Sequence, residues 1–151
     1  MEILIVILGL ILDRAAKIWA LNYLSQVNEI SIIKGFFAFS YLENRGAAFG
    51  ILQNKLIFLT IITLLIMGGI VFYLIKYKPV SKLIRISLSL ILSGAIGNLI
   101  DRVWYKYVVD FILVHYKNIY YFPTFNVADM LVVIGTGLLI IYLIKEDKNG
   151  K

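Results

Sequence analysis

The chain has 151 residues, 61% hydrophobic and 16% charged, with 15 Lys and Arg against 9 Asp and Glu for a net charge of +6. Soluble domains run at about 45–50% apolar and about 25% charged, and one of this size buries only about 70% of the surface its unfolded chain exposes, so a mean hydropathy of +0.89 excludes a soluble domain. Abundant aromatic and β-branched residues exclude disorder, and the absence of cysteine removes disulfides, thiolate nucleophiles and thiolate metal sites. What remains is an integral membrane protein, whose positive charge suits a membrane surface and not nucleic acid.

Four spans are predicted, at about 3–24, 56–75, 84–102 and 125–144, in a single membrane domain covering 1–151. The first is apolar to Leu12 and then carries Asp13, Arg14 and Lys17. It lacks a basic leader and a small-residue cleavage site, so it is expected to persist as a span and not to be removed as a signal peptide. Next, residues 31–42 (SIIKGFFAFSYL) are rich in β-branched and aromatic side chains around Gly35, which predicts one or two short strands at headgroup depth. The second span is the clearest. Its twenty residues hold no charge and measure about 30 Å as a helix, with Lys55 and Lys76 as snorkelling ends. Lys76, Lys78, Lys82 and Arg85 crowd the short connection to the third span, which closes on Asp101-Arg102. The connection that follows, 103–124, contains Trp104 and five tyrosines, again an interfacial composition. Asp129 interrupts the fourth span early, and Lys145, Lys148 and Lys151 trail it. By the positive-inside rule the basic connection and the basic tail are cytoplasmic, so both termini are inside and the two long connections outside. The expected fold class is an all-α membrane protein with four transmembrane helices and a small external β-rich segment between helices 1 and 2.

The informative residues are those a bilayer penalises. Asp13, Arg14, Lys17, Asp101, Arg102 and Asp129 each cost about 2.5–3.5 kcal/mol at the centre of a lipid-facing helix. Together they rival the net stability of a domain, about 5–15 kcal/mol, so they must pair, sit at an interface or face a wet interior. Asp13 and Lys17, at i, i+4, lie on one face and read as an ion pair tethering the first span. Arg14 points about 100° away from Asp13 and is expected to reach the nearer headgroups. Small residues before Asn98 allow close helix approach, and Asn98 and Arg102 share a face near the outer surface. Asn126 and Asp129, at i, i+3, do so at the same level, and Asp110 lies in the external connection between the two helices.

Two carboxylates a few ångströms apart cannot both ionise comfortably, so one keeps its proton and the other does not. That divides them into the acid and the base that water-mediated peptide hydrolysis requires. Spacing alone is a weak signal, since two aspartates 19 residues apart are common, and by itself it favours a capping or salt-bridged aspartate. The lone histidine, His115, in a Tyr-rich stretch, reads as an interfacial side chain; with no cysteine beside it, no metal site is expected. No Gly-rich phosphate loop is present and no cofactor is implied. A proton-coupled transporter and a non-catalytic scaffold are the rival readings. The transporter predicts acidic residues at several depths, and the scaffold predicts that Asp110 and Asp129 serve folding alone.

Five blocks carry a resemblance. In order they are Asp13-Arg14-Ala15-Ala16-Lys17, Asn44-Arg45-Gly46-Ala47-Ala48-Phe49-Gly50, the run from Gly94 to Arg102 (GAIGNLIDR), Val109-Asp110-Phe111 and Phe125-Asn126-Val127-Ala128-Asp129. They resemble the blocks of the bacterial lipoprotein signal peptidases (signal peptidase II) over nearly the whole chain. Arg14 stands where that family often has Gln, and Ser93-Gly94 where it often has a Gly pair. The resemblance implies a membrane-embedded aspartic endopeptidase of the bacterial cytoplasmic membrane. Such an enzyme removes the signal peptide of a prolipoprotein by cutting before the diacylglyceryl-modified cysteine. By motif position Asp110 and Asp129 are then the catalytic dyad, and Asn44, Asn98, Arg102 and Asn126 line the substrate site. Asp13, Lys17 and Gly46 are structural supports, Ala47 joins Gly46 in allowing close approach of the external loop, and the protein works beside membrane lipid as a monomer.

Overall fold

The computed structural model describes residues 1–46, 52–117 and 119–149, with side chains through Glu146 in the last helix. Ala47 and the rest of its block to Gly50 lie outside the described residues. Helix α1 (Glu2–Trp19) continues through a π-helical turn, Ala20–Leu24, into the short α2 (Ser25–Val27). Strands β1 (Glu29–Ile33) and β2 (Phe37–Asn44) follow, then α3 (Leu56–Tyr77), α4 (Lys82–Trp104), β3 (Val108–Tyr116), β4 (Tyr120–Tyr121) and α5 (Val127–Asn149).

The helices wear their polarity inside out. On α1 the buried residues are Gly9, Asp13 and Lys17, a stripe at i, i+4, i+8, whereas Leu4, Leu8, Ile11 and Leu12 are exposed. α4 buries Ser87, Ser89, Ser93, Gly94, Gly97, Asn98 and Asp101. α3 is apolar on every side and buries only Leu59 among its residues. In water this arrangement would be unstable; in hydrocarbon it is what helix packing demands, because close approach and polar contacts, not burial of leucine, hold helices together there. Among the described residues, three helices are long and apolar enough to cross a bilayer, Leu56–Tyr77, Lys82–Trp104 and Val127–Glu146.

α4 is the central helix, flanked by α1, α3 and α5. Its glycines set the spacing. A Cβ on Gly94 would strike the carbonyl oxygen of Ala128 on α5, and one on Gly97 would lie 2.6 Å from Asp13 Oδ2 on α1.

The four strands form one antiparallel sheet in the order β1-β2-β3-β4. The chain is mostly helical with a small sheet, but the expected placing of the β-structure between the first two spans alone is corrected: β3 and β4 come from the second long connection. Its sequence, VVDFILVHY, buries Val108 through Phe111 in succession, the continuous run of a strand covered on both faces, which the flanking tyrosines obscure. Gly35, at φ 77°, makes the turn between β1 and β2. Beneath the sheet Ala20, Leu24, Val109 and Phe111 form the apolar core, with Trp19 edge-on to Phe39 at 5.2 Å and to Phe111 at 6.2 Å.

Candidate active site

Two backbone devices bring the polar residues together. Pairing of β2 with β3 sets Leu42 opposite Asp110 and Asn44 opposite Val108. Phe125 then bridges to Ile112, donating to its carbonyl at 3.1 Å and accepting from its amide at 2.8 Å. That clip lays Asn126 beside Asp110 at the point where α5 begins.

Asn126 closes a reciprocal cap on α5. Its Oδ1 accepts from the Asp129 amide at 2.9 Å, and Asp129 Oδ2 accepts from the Asn126 amide at 3.1 Å, which satisfies two otherwise orphaned amides of the first turn. The cap explains why the helix starts at Val127 and not at the expected 125. Asn126 Nδ2 donates to Asp110 Oδ1 at 2.6 Å and to Asn98 Oδ1 at 3.2 Å. Asn98 Nδ2 in turn donates to Asp129 Oδ1 at 2.7 Å. Asn44 Nδ2 donates to Asp110 Oδ2 at 2.8 Å, and Asn44 Oδ1 accepts from the Gly46 amide at 2.9 Å. Each of these three asparagines therefore turns its amide nitrogen toward a carboxylate and its oxygen toward a donor.

The two aspartates line one cavity of about 800 Å³, shared with Asn44, Asn98 and Arg102 at its polar end and with Ile66, Ile91, Val132 and Val133 along its walls. Burial, reinforced by the negative charge of Asp129, pushes the Asp110 carboxyl up to about 7. Hydrogen bonds from Asn44 and Asn126 and the positive charge of Lys17 oppose that rise. Near neutral pH the Asp110 side chain can thus be held in either protonation state, which suits acid–base work.

Behind the cavity lies a buried ionic layer. Lys17 is 3.2 Å from Asp13 Oδ2, the i, i+4 pair expected from sequence, and 2.8 Å from Asp101 Oδ2. Arg14 pairs with Asp101 at 2.7 Å and Asp13 at 3.0 Å and donates to the Gly97 carbonyl. It does not reach headgroups as expected, because the Gly97 notch lets α1 approach closely enough for two carboxylates to capture it. Asp13 Oδ1 accepts from the Ala128 amide at 3.0 Å, so one helix caps another. Asp101, fully buried, also accepts from the Val109 amide and ties α4 to β3. The sequence marks Asp101 as a charge that needs a partner but does not name its partners. The signal for them is the face shared by Gly94, Asn98 and Asp101 at i, i+4, i+7.

The model of the family described as Signal peptidase (SPase) II matches residues 5–145. The chain belongs to the signal peptidase II family. It is accordingly an aspartic peptidase of the signal peptidase II type. A lipoprotein signal peptidase of Clostridium novyi is 63% identical over 148 residues, covering 98% of this chain and 100% of the relative. One of Clostridium acetobutylicum is 56% identical over 153 residues, covering 100% and 99%. A bacterial membrane enzyme solved by the in meso method superposes with a TM-score of 0.89 at 38% identity, covering 99% of this chain and 91% of that one. In this signal peptidase II the lone histidine stands apart from the cavity, stacked on Tyr121 with its Nδ1 2.8 Å from the Lys117 carbonyl.

Proposed function

We propose that Asp110 and Asp129 are the catalytic dyad of an endopeptidase that removes signal peptides from diacylglyceryl-modified prolipoproteins, cutting before the lipidated cysteine. The observation that carries the reading is the joint exposure of both carboxylates to one cavity, bridged by a single residue, Asn126, whose Nδ2 donates to Asp110 and whose backbone amide donates to Asp129. With one proton between them, the ionised carboxylate takes a proton from water as its oxygen attacks the scissile carbonyl carbon. The protonated one hands its proton to the amide nitrogen as the tetrahedral intermediate collapses. Asn44, Asn98 and Asn126 hold the carboxylates in place. Arg102, which lines the cavity without an ion-pair partner among the described residues, offers its guanidinium to a substrate carbonyl or to the lipid-bearing segment. Asp13 and Lys17 brace α1 against α4 and α5, and Gly46 fixes the turn that orients Asn44. The apolar walls receive acyl chains.

In this reading α1 is a fourth span whose polar stripe faces protein and whose leucines face lipid. Both termini are cytoplasmic, and the site lies near the outer face of the bacterial cytoplasmic membrane. Headgroup depth is where a lipid-anchored scissile bond and water meet. All the site residues come from one chain, as a monomer requires. The experiment is cleavage of a synthetic precursor, with and without the diacylglyceryl group on its cysteine, by purified wild type and Asp110→Asn. The lipidated precursor should be cut by wild type alone and the unmodified one by neither protein. Equal cutting of both precursors contradicts the substrate assignment, and full activity of Asp110→Asn contradicts the dyad.

A further inference from the structure

Lys17 sits one helical turn beyond Asp13 with no surface exposed. Its ammonium carries three donors and meets three acceptors: Asp13 Oδ2 at 3.2 Å, Asp101 Oδ2 at 2.8 Å and Asn98 Oδ1 at 2.8 Å. Two carboxylates already suffice to neutralise it and to tether α1. The third contact does something else. An ammonium cannot accept, so it compels Asn98 to present its oxygen and leaves only Nδ2 to face Asp129, to which it donates at 2.7 Å. A flipped Asn98 would set two donors against each other in a buried site.

We infer that Lys17 is a positioning residue for the Asp110–Asp129 pair, orienting Asp129 through Asn98 and supplying the buried positive charge that lets the pair stay singly ionised. The inference rests on the dyad reading above. Around Lys17 stand Asp13 and Arg14 on α1, Asp101 and Arg102 on α4, Asp110 on β3 and Asp129 on α5. Four carboxylates thus share the region with three cations, and one proton on the pair brings the count to neutrality. Removing Lys17 leaves an excess of negative charge, and the pair then binds protons more readily. Removing Asp101 does the opposite.

The test is the pH profile of kcat/KM for precursor cleavage by purified wild type, Lys17→Met, Lys17→Arg, Asp101→Asn and Asp129→Asn. The bell of Lys17→Met is expected to move to higher pH by about one unit and that of Asp101→Asn to lower pH, while Lys17→Arg, which keeps the charge, stays near wild type. A purely structural role lowers the melting temperature and moves no bell, and folded variants with wild-type bells overturn the inference. If Lys17→Met fails to fold, the near-isosteric Asp101→Asn carries the sign alone, and an unmoved or upward bell is contradiction enough. Full cleavage by Asp129→Asn overturns the dyad reading and this inference together; a silent Asp129→Asn beside unmoved bells overturns this inference only.

Discussion

Asn126 shows how much one residue can hold. It caps α5, steadies Asp129 through that cap, donates to Asp110 and touches Asn98, and it is fully buried. A half-satisfied network of this kind is worse than an apolar core, while a complete one is rigid, and rigidity is what two carboxylates need if they are to share a proton. The network sets a pH dependence of stability. Asp110 titrates at about 7 in the folded protein against an ordinary 3.8. Between those values the folded state therefore binds more protons than the unfolded one, and stability is lost as pH rises through the window, by at most about 4 kcal/mol. Thermal unfolding in detergent should show the wild-type midpoint falling from pH 4 to pH 8 and a flatter slope for Asp110→Asn; parallel slopes would exclude the raised carboxyl. Sequence motifs pointed to Asp110, Asp129 and the three asparagines by position. The direction in which each amide turns was not legible, because it depends on donors such as Lys17 and the Gly46 amide that only the folded chain brings near. Arg14 was misread for the same reason: its partner Asp101 lies on another helix.

Elements fix the site through two close approaches, α4 to α5 at Gly94 and α4 to α1 at Gly97. A Cβ at position 94 would press on the Ala128 carbonyl oxygen and lie 2.8 Å from Val132 Cγ2. Backbone cannot swing aside as a side chain can, so Gly94→Ala must push the start of α5, and Asp129 with it, away from α4. Overpacking of this sort costs about 1–3 kcal/mol, and a displacement near 1 Å costs activity on the order of a hundredfold. Gly68→Ala in α3, whose new Cβ meets nothing within 4 Å, should keep wild-type stability and rate. Equal behaviour of the two variants, in melting temperature and cleavage, would refute this account of the seam. Hydropathy located the three long apolar helices, Leu56–Tyr77, Lys82–Trp104 and Val127–Glu146, to within a few residues, since a run of apolar side chains is a local property. The sheet was half legible. β1 and β2 carry the hairpin signal around Gly35, but β3 pairs with a strand some seventy residues away in the chain, roughly the separation of Leu42 and Asp110, and no local pattern records that pairing.

For the whole molecule, the inverted distribution of polarity decides where each part resides. Exposed Ile57, Leu65 and Val133 belong in lipid, whereas the basic residues gather at the α3–α4 connection and the C-terminal tail. Because the chain has no cysteine, its orientation can be read with single introduced thiols. Lys34→Cys, in the turn between β1 and β2, should react with an impermeant maleimide on intact cells. Lys78→Cys, after α3, should react only once the membrane is opened; the reverse pattern would invert the topology. Asp129 is the member of the proposed pair carried on a helix, in a reciprocal cap with Asn126 and held by Asn98. The measurement that tests the pair most directly is single-turnover cleavage of the lipidated precursor by purified Asp129→Asn, folded by its melting profile. The account predicts a loss of at least about a thousandfold, and cleavage at close to the wild-type rate would contradict it.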